Sequence, residues 1–168
     1  DPTWINMQNQ VSGTTFTFNN VTYTAPAAGS YRIGLFFEGD PRLGGEVGRN
    51  VNRDGDTTDT FAVLWNTNTS KVWVDTNQDN NFSNDKALTD FRTRPEFGVF
   101  GKDKPETSVR ESVGFGVQID KVKKQVAINV GAASHASLVV GAATASKGSA
   151  GKFNGVAPGA QLVNVAEG

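Results

Sequence analysis

Cysteine is absent from this chain of 168 residues, and histidine occurs once, at position 135. The first absence excludes disulfides and thiolate metal sites. It leaves a secreted protein open, because many bacterial secreted proteins also lack Cys. With one His and no Cys there is no recognisable transition-metal site, so a metal-dependent hydrolase built on His135 is a poor reading. No charge sign dominates: 16 basic and 17 acidic side chains leave a net charge of −1. That balance, with no basic–aromatic stripe, excludes nucleic acid and an anionic membrane as expected partners. No run is long and apolar enough to span a bilayer. Internal repeats and low-complexity tracts are absent too. Neither an initiator Met nor a signal peptide heads the chain, and it stops just after an apolar strand. The expectation is a piece of a longer or processed polypeptide.

What the chain does have is glycine (19 residues), many Asn, Thr and Asp, and 37% apolar residues, enough for one packed domain. The pattern is mostly strand. Phe16 and Phe18 alternate with Thr, as do Val21 and Tyr23, and Asn19-Asn20 sits between the two runs. This predicts a β-hairpin that Pro26 and Gly29 end. Tyr31–Phe37 is a nearly continuous apolar strand. Phe61–Trp65 and Lys71–Asp75 predict a second hairpin, Phe97–Phe100 a short strand, and Val113–Ile119 and Gln125–Val130 two more strands around the charged turn Asp120–Lys124. Trp4, Trp65 and Trp73 could line a binding surface, but aromatics on alternating strands are more often core. Asn20, Asn68 and Asn81 each open a glycosylation sequon, a triplet common by chance in such a composition.

The stretch Asp75–Asp85 reads as a cation loop. Asp75, Asn77 and Asp79 alternate as the first three ligands of a calcium loop do, and Asn81, Ser83 and Asp85 extend the series. Hard oxygen donors at this spacing can wrap one Ca2+. Asn80 stands where an EF-hand has Gly, and no Glu occupies the twelfth place. Asn tolerates the left-handed backbone that the turn needs. The competing reading is a solvated, Asx-rich hairpin loop. Asp54, Asp56 and Asp59 form a second, less regular acidic run.

The last part differs. Ser134 is an N-cap candidate, and Leu138, Val139, Gly141, Ala142 and Ala145 fall at helical spacings, which predicts a buried helix opening at His135. A titratable imidazole at a helix mouth suits acid–base chemistry, although a lone His is more often structural. A small-residue loop follows, and then a Pro-Gly turn enters the apolar strand Leu162–Val165.

His135-Ala136-Ser137-Leu138-Val139-Val140-Gly141 and Gly155-Val156-Ala157-Pro158-Gly159-Ala160-Gln161-Leu162 together resemble the subtilases, the subtilisin-like serine proteases. In that family the first motif is His-Gly-Thr-His-Val-Ala-Gly and its first His is the general base. The second, Gly-Val-Ala-Pro-Gly-Ala-x-Leu, leads to the next core strand and is matched here almost letter for letter. Ala136, Ser137 and Leu138 depart from the first motif, and Ala136 keeps a degenerate, inactive relative in view. Asp1-Pro2 resembles the residues that trail the family's catalytic Asp. Neither the nucleophile motif nor the oxyanion Asn occurs in the chain.

The resemblance implies an α+β, mostly β chain. Residues 1–124 would be a β-rich hairpin insertion, and residues 125–168 a strand-helix-loop-strand piece of a subtilisin-like α/β core. It implies a secreted serine endopeptidase in which His135 is one of three triad members. The Asp and Ser would lie outside the chain, which would be inactive alone. Its partners would be a protein or peptide substrate and the rest of the protease chain. Calcium is the one cofactor suggested, and no organic cofactor is. The rival reading is a non-catalytic, calcium-stabilised β-rich binding module on a degenerate subtilase scaffold.

Overall fold

The computed structural model describes residues 3–43, 49–106, 111–130, 142–143, 154–157 and 160. The chain divides into two compact units, Asp1–Gly131 and Ala132–Gly168. The first contains eight strands among its described residues: β1 (Thr3–Asn6), β2 (Asn9–Phe18), β3 (Val21–Phe37), β4 (Thr60–Asn66), β5 (Lys71–Val74), β6 (Gly98–Phe100), β7 (Val113–Asp120) and β8 (Gln125–Val130). They form two antiparallel sheets with strand orders β1-β8-β7-β6 and β2-β3-β4-β5. The first unit is therefore an all-β body, as the alternating runs indicate.

Phe36 of β3 and Phe61 of β4 meet Phe100 of β6 at ring-centroid distances of 5.6 and 4.8 Å, and Phe100 meets Phe115 of β7 at 4.4 Å. All four are buried, so one aromatic column joins the two sheets. β4 is buried on both faces. Phe61, Val63 and Trp65 alternate with Ala62 and Leu64, and the latter pair packs with Ile33, Tyr31, Tyr23 and Phe82 in a second cluster. Burial on two sides explains the unbroken apolar run of this strand. Trp65 and Trp73 thus serve the core, whereas Trp4 is half-buried.

Asn19 and Asn20 both have positive φ, 49° and 63°, which suits the two-residue turn expected between β2 and β3. The hairpin does not end at Pro26. β3 runs without a break for 17 residues, from Val21 to Phe37. Pairing shifts there: Thr15 opposes Thr24, but Gly13 opposes Gly29. The bulged residues of β3 between these pairs include Pro26, so its missing N–H interrupts no regular ladder.

Gly34 lies where β1 crosses β3. A Cβ there would sit 2.6 Å from the Asn6 carbonyl oxygen and 2.7 Å from Ile5 Cγ2. Backbone cannot yield as a side-chain tip can, so Gly34→Ala should cost about 1–3 kcal/mol. Thermal unfolding of the two proteins side by side checks this; an unchanged Tm would contradict the close approach.

The segment 125–130, expected to lead into the helical piece, is β8 and belongs to the first unit. It pairs antiparallel with both β1 and β7, and Val126, Ala127 and Ile128 are buried. The division between compact units falls after Gly131. Of the helix expected from Ser134, only Ala142 and Ala143 are described, and both are helical. Asp1, Pro2 and the segment Leu162–Val165, expected to be a strand, lie outside the described residues. Among the described residues, no helix is long and apolar enough to cross a membrane.

Candidate metal centre and catalytic histidine

The loop after β5 is pinned at both ends. At its start Asp75 N–H donates to the Ala62 carbonyl (3.0 Å). Further on, Thr24 N–H donates to the Asn80 carbonyl and Phe82 N–H donates to the Thr24 carbonyl, both at 2.9 Å. Phe82 is fully buried and stacks on Tyr23 at 5.8 Å. An apolar anchor inside a polar loop thus fixes the Asx series against β3.

Asp75 is 2% exposed and organises the turn: its Oδ1 accepts from Asp79 N–H (3.1 Å) and its Oδ2 from Asn80 N–H (2.9 Å). Gln78 and Asn80 take the left-handed backbone anticipated for Asn80, with φ of 55° and 61°. Asp79 Oδ2 accepts from Asn77 Nδ2 (2.9 Å) and Asn84 Nδ2 (2.7 Å). Asp85 has a buried Oδ2 with no hydrogen-bond partner. Burial, with the charges of Asp75 and Asp79 next in importance, pushes the Asp85 carboxyl up to about 7. Burial also raises Asp75, with the neighbouring Asp79 charge adding to it. The charges of Asp75 and Asp79 thus bear on a buried carboxyl oxygen that has no hydrogen-bond partner. Asn81 Oδ1 accepts from Ser83 N–H (3.1 Å) and Oγ (2.7 Å). Among the described residues Asp75, Asp79 and Asp85 do not converge into one metal-compatible group, and Asn77 Oδ1 accepts from Asp79 N–H (3.4 Å).

A second acidic group lies alongside. Carboxylate oxygens of Glu38, Asp54, Asp56 and Asp59 all come within 4.8 Å of one another. Glu38 is fully buried, and its two oxygens accept from Val51 N–H (2.8 Å) and Asp59 N–H (3.2 Å). Burial raises its carboxyl above the usual range. Asn52 Nδ2 donates to both Asp54 (3.1 Å) and Asp59 (2.6 Å), and Gln78 Nε2 donates to Asp59 Oδ1 (3.0 Å), tying the two loops together. Glu38 is not legible as a member from the sequence. It closes an apolar strand, and its neighbours come from thirteen or more residues away. This acidic group could hold a metal ion, Ca2+ included.

Asp85 has a consequence for pH dependence. In the native state its carboxyl keeps its proton up to about pH 7, and in the unfolded chain only to about pH 4. Between these values the native state binds more protons, so stability falls as pH rises. With partial solvent screening the loss is about 1–2 kcal/mol. If the loop binds Ca2+ through Asp85, the ion competes with that proton. We expect calcium to raise Tm more at pH 8 than at pH 5.5, with chelator-treated protein losing stability between the two. Scanning calorimetry in calcium and in chelator reads this directly; a calcium effect equal at both pH values would exclude Asp85 as a ligand.

His135 lies outside the described residues, as do its flanking residues. In the second unit Val156 N–H donates to the Ala142 carbonyl (3.0 Å) and Ala157 N–H to the Ala143 carbonyl (2.7 Å). No family model, curated protein or solved structure matches the chain.

Proposed function

We propose that the chain is part of a secreted subtilisin-like serine endopeptidase and supplies its general base, His135. The observation that carries this reading is the pair of segments resembling that family, His135–Gly141 and Gly155–Leu162. The hydrogen bonds from Val156 and Ala157 to Ala142 and Ala143 support it, because they join the start of the second segment to residues directly after the first. His135 takes the proton of the nucleophilic Ser as it attacks the scissile carbonyl, and returns it to the leaving amine. The Ser and the Asp that orients the imidazole come from other parts of the polypeptide. The finer fold goes with this reading: a helix opening at His135, a loop, and the strand Leu162–Val165 of an α/β core. The β-rich first unit is an insertion that Ca2+ stabilises, either in the loop Asp75–Asp85 or at the acidic group of Glu38, Asp54, Asp56 and Asp59.

One observation favours the second reading, a non-catalytic binding module. Ala136 stands beside the base where substrate approaches and where the family has Gly. A fluorophosphonate probe decides between them, because it acylates only a serine activated by its base. The probe should label the full-length protein, freed of any propeptide, and labelling should vanish in His135→Ala. A folded wild-type protein that resists the probe would overturn the peptidase reading.

A further inference from the structure

Away from the acidic loops, a cleft of about 710 Å³ opens between turns of the two sheets. Trp4 of β1, Thr69 and Ser70 of the β4–β5 turn, Arg92, and Asp120 and Lys121 at the end of β7 line it. Its volume lies within the range of small-molecule sites.

Arg92 is held rigidly. Its Nε donates to Asp90 Oδ1 (3.0 Å), and its Nη2 donates to Asp90 Oδ2 (2.7 Å) and to the Ile119 carbonyl (3.1 Å). Ile119 N–H donates to the same Asp90 Oδ2 (2.9 Å), which fixes the carboxylate in turn. A guanidinium with Nε and Nη2 committed presents Nη1 as a pre-set pair of donors, since the fork is planar. Asp120 uses Oδ1 for the turn, accepting from Val122 N–H (3.0 Å) and Lys123 N–H (2.8 Å). Its Oδ2 accepts no hydrogen bond among those described for the turn. The cleft therefore offers fixed donors, an acceptor, four hydroxyl side chains and one indole.

The charges choose among ligand classes. Asp90 and Asp120 balance Arg92 and Lys121, so the lining has no net charge. A phosphate or polyanion would meet two carboxylates, and a purely apolar ligand would strip water from the ions without replacing it. A neutral polyol ring suits the lining. Its hydroxyls both donate and accept, and its C–H face lies flat on an indole. We propose that this cleft binds a neutral saccharide, with Trp4 as the stacking platform and Arg92, Asp120 and Lys121 as hydroxyl partners. The proposal concerns the first unit alone and is independent of the peptidase reading.

Saturation-transfer NMR on the full-length protein tests it, using cellotriose, maltotriose and the trimer of N-acetylglucosamine at about 5 mM each, with galacturonate trimer as the anionic comparison. At least one neutral trimer should receive saturation, with a Kd of about 0.1–10 mM. Trp4→Ala should weaken it about tenfold or more. Thr69→Arg, on an exposed turn and outside the core, should fill the cleft and do the same. It covers the case in which Trp4→Ala disturbs β1. No transfer to any neutral trimer, tighter binding of galacturonate, or transfer that survives Thr69→Arg would each overturn the assignment.

Discussion

If His135 is the general base of the peptidase proposed above, replacing it with Ala in the full-length protein should lower kcat/KM on a peptide substrate by about 10⁴-fold or more. The magnitude follows from what a general-base imidazole does in a triad. Without it the serine hydroxyl attacks as a neutral alcohol, and the leaving amine departs unprotonated. Binding of the substrate does not involve that proton, so the loss should appear in kcat while KM changes little. The split matters, because a merely structural His at a helix mouth would, if lost, lower the fraction of folded enzyme and leave kcat per labelled site unchanged. Stopped assays normalised to folded protein separate the two. A drop of less than tenfold, or one confined to KM, would remove His135 from the triad.

The second large effect is on folding. Phe100→Ala should destabilise the first unit by about 3–5 kcal/mol. Phe100 is fully buried and, among the described residues, is the one ring in contact with Phe36, Phe61 and Phe115 together. β6, which carries it, is only three residues long and sits at a sheet edge, so it has little other hold. Removing the ring leaves a cavity that two facing sheets cannot close without sliding past each other. Val99 on the same strand is half exposed, and Val99→Ala should cost well under 1 kcal/mol. Denaturant unfolding of both variants gives the contrast. Equal midpoints would contradict a column of rings joining the sheets.

Local chemistry made much of the first unit readable. Asn19-Asn20 between alternating Phe/Thr and Val/Tyr runs indicates a tight hairpin turn, and the backbone angles there agree. Phe61–Trp65 with Lys71–Asp75 matches β4 and β5 closely. The exceptions turn on partners distant in the chain. Pro26 reads as a stop, yet pairing shifts on either side of it and lets β3 continue. Gln125–Val130 reads as the start of the helical piece, because nothing local reveals that Thr3–Asn6 pairs with it.

The candidate site divides in the same way. Alternating oxygen side chains make Asp75, Asn77 and Asp79 readable as a candidate loop, because calcium loops present ligands at that spacing. That Asn81 turns toward Ser83 depends on the local turn, and that Glu38 joins Asp54, Asp56 and Asp59 depends on strand ends meeting in space. The assignment of His135 rests on the resemblance of its motif and on the segment from Gly155 to Leu162.

The position of β2 bears on how this protein behaves at high concentration. It is a ten-residue edge strand, the kind of open backbone on which other chains add strands and fibrils begin. Its exposed side chains are Asn9, Gln10, Ser12, Thr14, Thr15 and Thr17, with none of the large apolar residues that would make such addition dry and tight. The irregularity at Gly13, whose φ is +98°, bends the edge midway and leaves no flat run for a second copy to match. The longest open edge of the β-rich unit is thereby guarded against self-association.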